Sequence, residues 1–234
     1  MLPRVTEPDQ RARDAAAAAA LERIDPGMTI GLGSGRAVWR VVDLIGERFG
    51  GAPPLRAAFA SDETRRRAAE VGLEEVELDG GVRLSVAIDG ADEVDPHLGL
   101  IKGGGAALLR EKIVVSAAER FLVVAETKKR VDRLGQTRGL PVEVVRFGWG
   151  DTRRRLLDLG LGDADLRLDG GAPVVTDEGH FMLDCALPPE GDLPGLGAAI
   201  KATVGVVEHG LFVGLASEAL LGTPDGEVEI LRAS

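Results

Sequence analysis

The chain has 234 residues, with 28 Lys or Arg against 38 Asp or Glu, a formal net charge of −10. At roughly 100–200 residues per domain this is one large domain or one domain with a small partner. An apolar fraction of 44% excludes a disordered chain, the acidic balance argues against a nucleic-acid partner, and the longest apolar run, residues 15–21, falls far short of the ~20 that span a bilayer.

Residues 11–24 are Ala-rich and predict a helix stopped by Pro26-Gly27. Residues 28–32 predict a short strand running into Gly33-Ser34-Gly35, after which Val38, Val41, Val42 and Ile45 give a helix one apolar face. Residues 55–60 predict a second strand and residues 62–71 a helix with Ser61 as its N-cap. A third strand, residues 84–88, ends in the acidic cluster Asp89 to Asp95. Then come Lys102-Gly103-Gly104-Gly105, a helix through Ala118, and a buried strand at 121–125. This alternation implies an α/β fold: an open, mostly parallel Rossmann-like sheet with helices on both faces. After Gly139 the rhythm changes. A strand at 141–146, a helix at 151–159, strands at 174–176 and 180–184 around the turn Asp177-Glu178-Gly179, and a helix at 193–203 predict a small α+β (ferredoxin-like) domain. Its expected bounds are 137–206, leaving 1–136 and 207–234 to the Rossmann-like domain, with two more strands in 211–231 returning to the first sheet.

Cys185 is the single cysteine, so neither an intrachain disulfide nor a thiolate metal cluster is possible. The segment Met1 to Gln10 lacks a signal-peptide core, and a cytoplasmic location is expected. With no Tyr and 3% aromatics, a base-stacking surface is not expected. His97, His180 and His209 have no metal-ligand spacing, and no G-x-S-x-G elbow marks a serine hydrolase.

Ligands of open parallel sheets bind beyond the carboxyl ends of the strands, which directs attention to four segments. Gly31-Leu32-Gly33-Ser34-Gly35-Arg36 follows a strand and opens a helix, so its N–H groups can face an anion. It is neither a dinucleotide fingerprint, because Arg36 stands where the last Gly belongs, nor a P-loop. Ser61 and Thr64 offer hydroxyls at a second helix start, where capping is the simpler role. Asp89, Asp92, Glu93 and Asp95 crowd four carboxylates into seven residues, which suits acid/base work, a cation site or a plain solvated loop. Lys102 precedes three glycines, costly in backbone entropy unless the backbone must approach something, and can neutralise a developing oxyanion. Glu111 falls on the helix that follows.

The ordered set Gly31-Leu32-Gly33-Ser34-Gly35, Ser61, Asp89-Gly-Ala-Asp-Glu-Val-Asp95 and Ile101-Lys-Gly-Gly-Gly-Ala-Ala-Leu-Leu-Arg-Glu-Lys-Ile113 resembles ribose-5-phosphate isomerase type A. Pro141-Val-Glu-Val144, Gly205-Val-Val-Glu-His-Gly-Leu-Phe212 and Gly222-Thr-Pro-Asp-Gly226 extend the resemblance over about residues 10–232. The resemblance implies interconversion of D-ribose 5-phosphate and D-ribulose 5-phosphate through an enediolate, in the non-oxidative pentose phosphate pathway, without metal or cofactor. It makes Glu111 the general base, Asp89 the residue that opens the furanose ring, and Asp92 and Lys102 the groups that polarise the reacting oxygens. Gly33, Ser34, Gly35, Arg36, Ala37, Ser61, Gly103, Gly104 and Lys129 are the expected substrate and phosphate contacts. The expected partner is a small sugar phosphate, with no nucleic acid or membrane, in a homodimer or homotetramer.

Three departures stand out. The family's G-T-G-S-T loop reads Gly33-Ser34-Gly35-Arg36-Ala37, so two hydroxyls become Arg36 and Ala37. A lysine of the family's first helix has Arg13 as its nearest match. The D-x-S-K segment reads Glu126-Thr127-Lys128-Lys129. These changes point to a rewired phosphate contact, with Arg36 in place of the hydroxyls, or to a different or broader aldose phosphate. Two other classes are weaker. A sugar-phosphate sensor of the repressor type needs a DNA-binding module, and only about 27 residues precede the first strand. A CoA-transferase relative would use Glu111 as a nucleophile, and the D-G-A-D-E and Lys-Gly-Gly-Gly pair argues against it.

Overall fold

A computed structural model describes residues 6–232. The first half of the Met1–Gln10 segment and the last two residues of the chain lie outside them. In chain order the elements are α1 (Glu7–Leu21), β1 (Thr29–Leu32), α2 (Arg36–Phe49), β2 (Arg56–Phe59), α3 (Asp62–Glu70), β3 (Glu74–Glu75), β4 (Val86–Asp89), β5 (Glu93–Val94), β6 (Leu100–Ile101), α4 (Leu108–Ser116) and β7 (Phe121–Glu126). They continue with β8 (Leu140–Val144), α5 (Trp149–Asp158), β9 (Gly162–Leu166), β10 (Leu168–Asp169), β11 (Ala172–Pro173), β12 (Phe181–Ala186), α6 (Leu193–Lys201), β13 (Val206–His209), β14 (Leu211–Phe212), β15 (Glu218–Gly222) and β16 (Val228–Arg232). They fall into two compact units: the chain through Ala91 with Arg110–Arg130 and everything from Leu215, and Asp92–Leu109 with Val131–Gly214.

The first unit is built on a seven-stranded sheet of order β16-β15-β7-β4-β1-β2-β3. All pairings are parallel except the β15–β16 hairpin at the edge. Strands β1, β4 and β7 are buried along their whole length, as strands covered on both faces must be. Helix α2 buries Val38, Val41, Val42 and Ile45, the one face its periodicity marks. Ser61 caps α3 by accepting a hydrogen bond from Thr64 N at 3.2 Å. Helix α1 starts and stops earlier than its alanines suggest. Thr6 caps it, accepting from Asp9 N, and Pro8 fits its first turn. At the other end Asp25 precedes Pro26 and is steered away from helical angles. The alanines of α1 let its backbone lie against β15: a Cβ on Gly222 would sit 1.7 Å from Ala12 O.

In the second unit β8, α5, β9, β12, α6 and β13 form a βαββαβ unit with sheet order β13-β8-β12-β9, the ferredoxin-like arrangement. Leu140, Val142, Val144, Leu183 and Cys185 pack with Leu156 of α5 and Ile200 of α6 into its core. Burial first, then the neighbouring Asp184, push the Cys185 thiol up to about 12, so it stays protonated at neutral pH. The expected strand at 174–176 is not one: only Val175 bridges, to Phe181, across the turn that ends at Gly179. Its place in the sheet is taken by β9, whose Gly-Asp-Ala-Asp-Leu reads as loop because Asp163 and Asp165 line an open edge. Strands β10 and β11 form a hairpin on Gly170 and Gly171, both at positive φ. A small sheet, β14-β6-β5, completes the unit, so the 211–231 segment supplies three strands and only β15 and β16 join the large sheet. No described helix is long and apolar enough to cross a membrane.

Candidate active site

In the large sheet the chain moves to one side of β1 to form β2 and β3, then to the other to form β4, β7 and β15. The crevice at this reversal, beyond the carboxyl ends of β1 and β4, is where open parallel sheets bind ligands. Gly33 and Ser34 follow β1, and Asp89 ends β4. Asp89 is 1% exposed, and its Oδ1 accepts from Ser34 N at 3.2 Å and Gly90 N at 2.7 Å. Glu111, on the first turn of α4 and 4% exposed, accepts from the Ser34 hydroxyl at 2.6 Å. Ser34, expected among the phosphate contacts, thus joins the two carboxylates, through its N–H to one and its hydroxyl to the other.

Gly33 is required by contact, not by φ. A Cβ there would fall 1.9 Å from Asp89 Cγ. Its carbonyl accepts from Thr64 Oγ1 at 2.8 Å, and the Ser61 hydroxyl lies 3.0 Å from the same Thr64 oxygen. Ser61 therefore serves as a cap and fastens the loop through Thr64, a residue sequence reasoning gave only a capping role. Gly35 is the N-cap of α2 at φ 91 and offers no side chain to cap it; Arg36 and Ala37 are its first two residues, both half-buried. Lys129 ends the short 3-10 turn that follows β7. Two of the three departures meet: Arg13 Nη2 donates to Glu126 Oε1 at 2.6 Å, and both residues are buried.

The second unit holds Asp92, Lys102, Gly103 and Gly104. Asp92 Oδ2 accepts from Gly104 N at 2.8 Å, and a Cβ on Gly104 would come within 2.8 Å of the same carboxylate. Lys102 is 3% exposed, and its ammonium lies 5.6 Å from the centre of the Phe212 ring, a cation–π distance. Lys102 N donates to Gly210 O at 2.9 Å, and a Cβ on Gly210 would fall 2.0 Å from Lys102 O. Gly210 and Phe212 stand in the Gly205–Phe212 motif, so a signal was present but carried no role.

The acidic cluster divides by partner. Glu93 is 0% exposed and accepts from Gly135 N, Thr137 N, Thr137 Oγ1 and Arg138 N at 2.5–2.7 Å. Asp95 Oδ1 accepts from His97 N and Gly99 N, both at 2.8 Å. Both carboxylates are therefore structural. Glu93→Gln keeps the shape but turns an amide N–H₂ toward N–H donors. It is expected to lower the unfolding free energy by about 2 kcal/mol in urea titrations, since hydrogen bonds to a charged group contribute about 1.5–3 kcal/mol. Two of the three histidines have structural partners: His180 Nδ1 lies 2.9 Å from Glu143 Oε1, and His209 Nδ1 accepts from Leu211 N.

Residues 57–226 match the family model for ribose 5-phosphate isomerase A (phosphoriboisomerase A). The chain belongs to that family. Ribose-5-phosphate isomerase A of Roseiflexus castenholzii is 47% identical over 225 residues, covering 95% of this chain and 96% of the relative. The protein of that name from Rhodopseudomonas palustris is 47% identical, covering 93% and 96%. Among solved structures, ribose 5-phosphate isomerase A of Methanocaldococcus jannaschii superposes with a TM-score of 0.90 at 32% identity, covering 96% of this chain and 99% of that one. A D-ribose-5-phosphate isomerase in complex with phospho-erythronic acid gives a TM-score of 0.88 at 34% identity, covering 94% and 97%. Family membership agrees with the α/β fold.

Proposed function

We propose that this member of the family interconverts D-ribose 5-phosphate and D-ribulose 5-phosphate through an enediolate, as part of the non-oxidative pentose phosphate pathway. The observation that carries the reading is the Ser34 bridge between two buried carboxylates, Glu111 and Asp89, at the sheet's reversal point. Glu111 takes the proton from C2 of the open-chain aldose and returns it to C1, while the hydroxyl proton on O2 passes to O1. A carboxylate held at one oxygen by a hydroxyl has a fixed direction of attack, which proton transfer needs. Asp89 moves the proton that opens the furanose ring. Lys102 and Asp92 face the O1 and O2 oxygens, where the enediolate carries its charge and a buried ammonium is most effective.

The phosphate is assigned to the loop from Gly33 to Ala37, with Gly103, Gly104, Ser61 and Lys129 as further contacts. Support comes from the start of α2, whose N–H groups and dipole favour an anion. Arg36, the first residue of α2, takes over from the family's lost hydroxyls with a charge-assisted bond. The compound bound by the second structural relative, phospho-erythronic acid, is itself a phosphorylated sugar acid, consistent with a sugar-phosphate substrate. The reading includes a cytoplasmic enzyme working as a homodimer or homotetramer.

Steady-state kinetics over a panel of pentose and hexose phosphates tests this reading. Ribose 5-phosphate is expected to have the highest kcat/KM; a different aldose phosphate in that place would replace the substrate while keeping the chemistry, and no turnover of any would overturn it. In the same assay Arg36→Ala is expected to raise KM for the preferred sugar phosphate about tenfold, the value of one charge-assisted contact. An unchanged KM removes Arg36 from the phosphate site.

A further inference from the structure

The peptide bond between Gly103 and Gly104 is gripped at both ends. Its carbonyl, Gly103 O, accepts from Arg167 Nη1 at 2.7 Å, while its N–H donates from Gly104 to Asp92 Oδ2 at 2.8 Å. Arg167 is itself held by a two-pronged ion pair, Nε and Nη2 meeting the two Asp184 oxygens at 2.9 and 2.5 Å. The sheet register places this pair. Asp184 lies on β12 opposite Asp165 of β9, and Arg167 follows β9 directly, donating its backbone N–H to Met182 O at 2.8 Å. The guanidinium thus stands on a fixed base, with 16% of its side chain exposed.

Such a grip answers a specific weakness. Gly103 is at φ +107 and is followed by Gly104 and Gly105, so no side chain hinders rotation of the peptide plane between them. A rotated plane would turn a carbonyl oxygen toward the Asp92 carboxylate in place of an N–H, and the repulsion would move that carboxylate. We propose that Arg167, seated on Asp184, is a positioning residue for the isomerisation: it locks the Gly103–Gly104 peptide with its N–H on Asp92. A cation at the carbonyl end also polarises the peptide and strengthens its N–H donor at the other end. Asp92, Gly104, Arg167 and Asp184 together line an open cavity of about 370 Å³, in the size range of small-molecule sites. The inference rests on the reading of Asp92 as a group that acts on the sugar.

The test uses Arg167→Met, which keeps a long apolar stem and removes the fork, and Asp184→Asn, which keeps the shape of the pair and weakens it. Arg167→Met is expected to lose about 10–100-fold in kcat with KM changed less than about threefold, and Asp184→Asn about 3–10-fold, as for an interaction needed only in the transition state. The Gly104 amide proton, followed by NMR, is expected to shift upfield in both variants as its bond to Asp92 weakens. Free guanidinium ion is expected to restore part of kcat to Arg167→Met. A lowered Tm with kcat and the Gly104 resonance unchanged overturns the proposal and leaves the pair as a fastening of the sheet. Asp92→Asn, measured alongside, separates the two ideas. Near-normal turnover there overturns the role of Asp92, whereas impaired turnover there with normal turnover in Arg167→Met overturns the clamp alone.

Discussion

Glu111→Gln is expected to lower kcat by about 10²–10⁴-fold while KM for the sugar phosphate stays within a few-fold, the usual scale for removing a general base. The amide is nearly isosteric, and its oxygen can still accept from the Ser34 hydroxyl, which lies 2.6 Å from Glu111 Oε1. The fold and the loop between β1 and α2 therefore persist, and only basicity is lost. Exchange of substrate C–H protons with heavy-water solvent, followed by NMR, checks the same step independently: it should fall in parallel with kcat. Turnover within about fivefold of the unaltered enzyme would show that another group moves the proton.

Gly33→Ala carries the second large effect, and its cause is steric. The added Cβ would fall 1.9 Å from Cγ of Asp89 and 2.0 and 2.3 Å from its oxygens. Asp89 cannot yield at low cost, because Ser34 N and Gly90 N both hold its Oδ1 and the residue is buried. Gly33 cannot yield freely either, since its N–H donates to Ile88 O at 2.9 Å and its carbonyl accepts from Thr64. The expected outcome is a loss of about 10²-fold or more in kcat/KM, as for a displaced catalytic group, and a stability loss of about 1–3 kcal/mol from overpacking. A double-mutant cycle isolates the cause. Combining Gly33→Ala with Asp89→Ala should recover most of the lost stability and none of the activity. If stability stays low in the pair, the contact with Asp89 is not the source.

Much of this architecture was legible from local pattern. The four apolar positions of α2 lie on one face, and all four are buried. Ser61 reads as a cap and caps α3. Strands β1, β4 and β7 read as apolar runs because both of their faces are covered. The small unit was harder. Its edge strand β9 carries Asp163 and Asp165, and the hairpin of β10 and β11 is two residues on each side, too short for any period to register. The segment 92–109 packs with the ferredoxin-like unit, although strand–helix alternation runs straight through it.

The sequence by itself determined the α/β class and the family, because each rests on short-range periodicity, capping or ordered motifs, and it directed attention to the carboxyl ends of the parallel strands. Tertiary structure alone decided how the acidic cluster is divided. Asp89 meets Ser34 and Asp92 meets Gly104, while Asp95 is taken up by backbone amides of its own loop and Glu93 by the Gly135–Arg138 segment more than forty residues away. It also decided that Arg13 meets Glu126 and that Arg167 holds the glycine loop from 64 residues away. The reason is physical. A carboxylate's role is set by the donors that reach it, and those donors come from segments brought together only by sheet register and packing, which spacing along the chain does not encode.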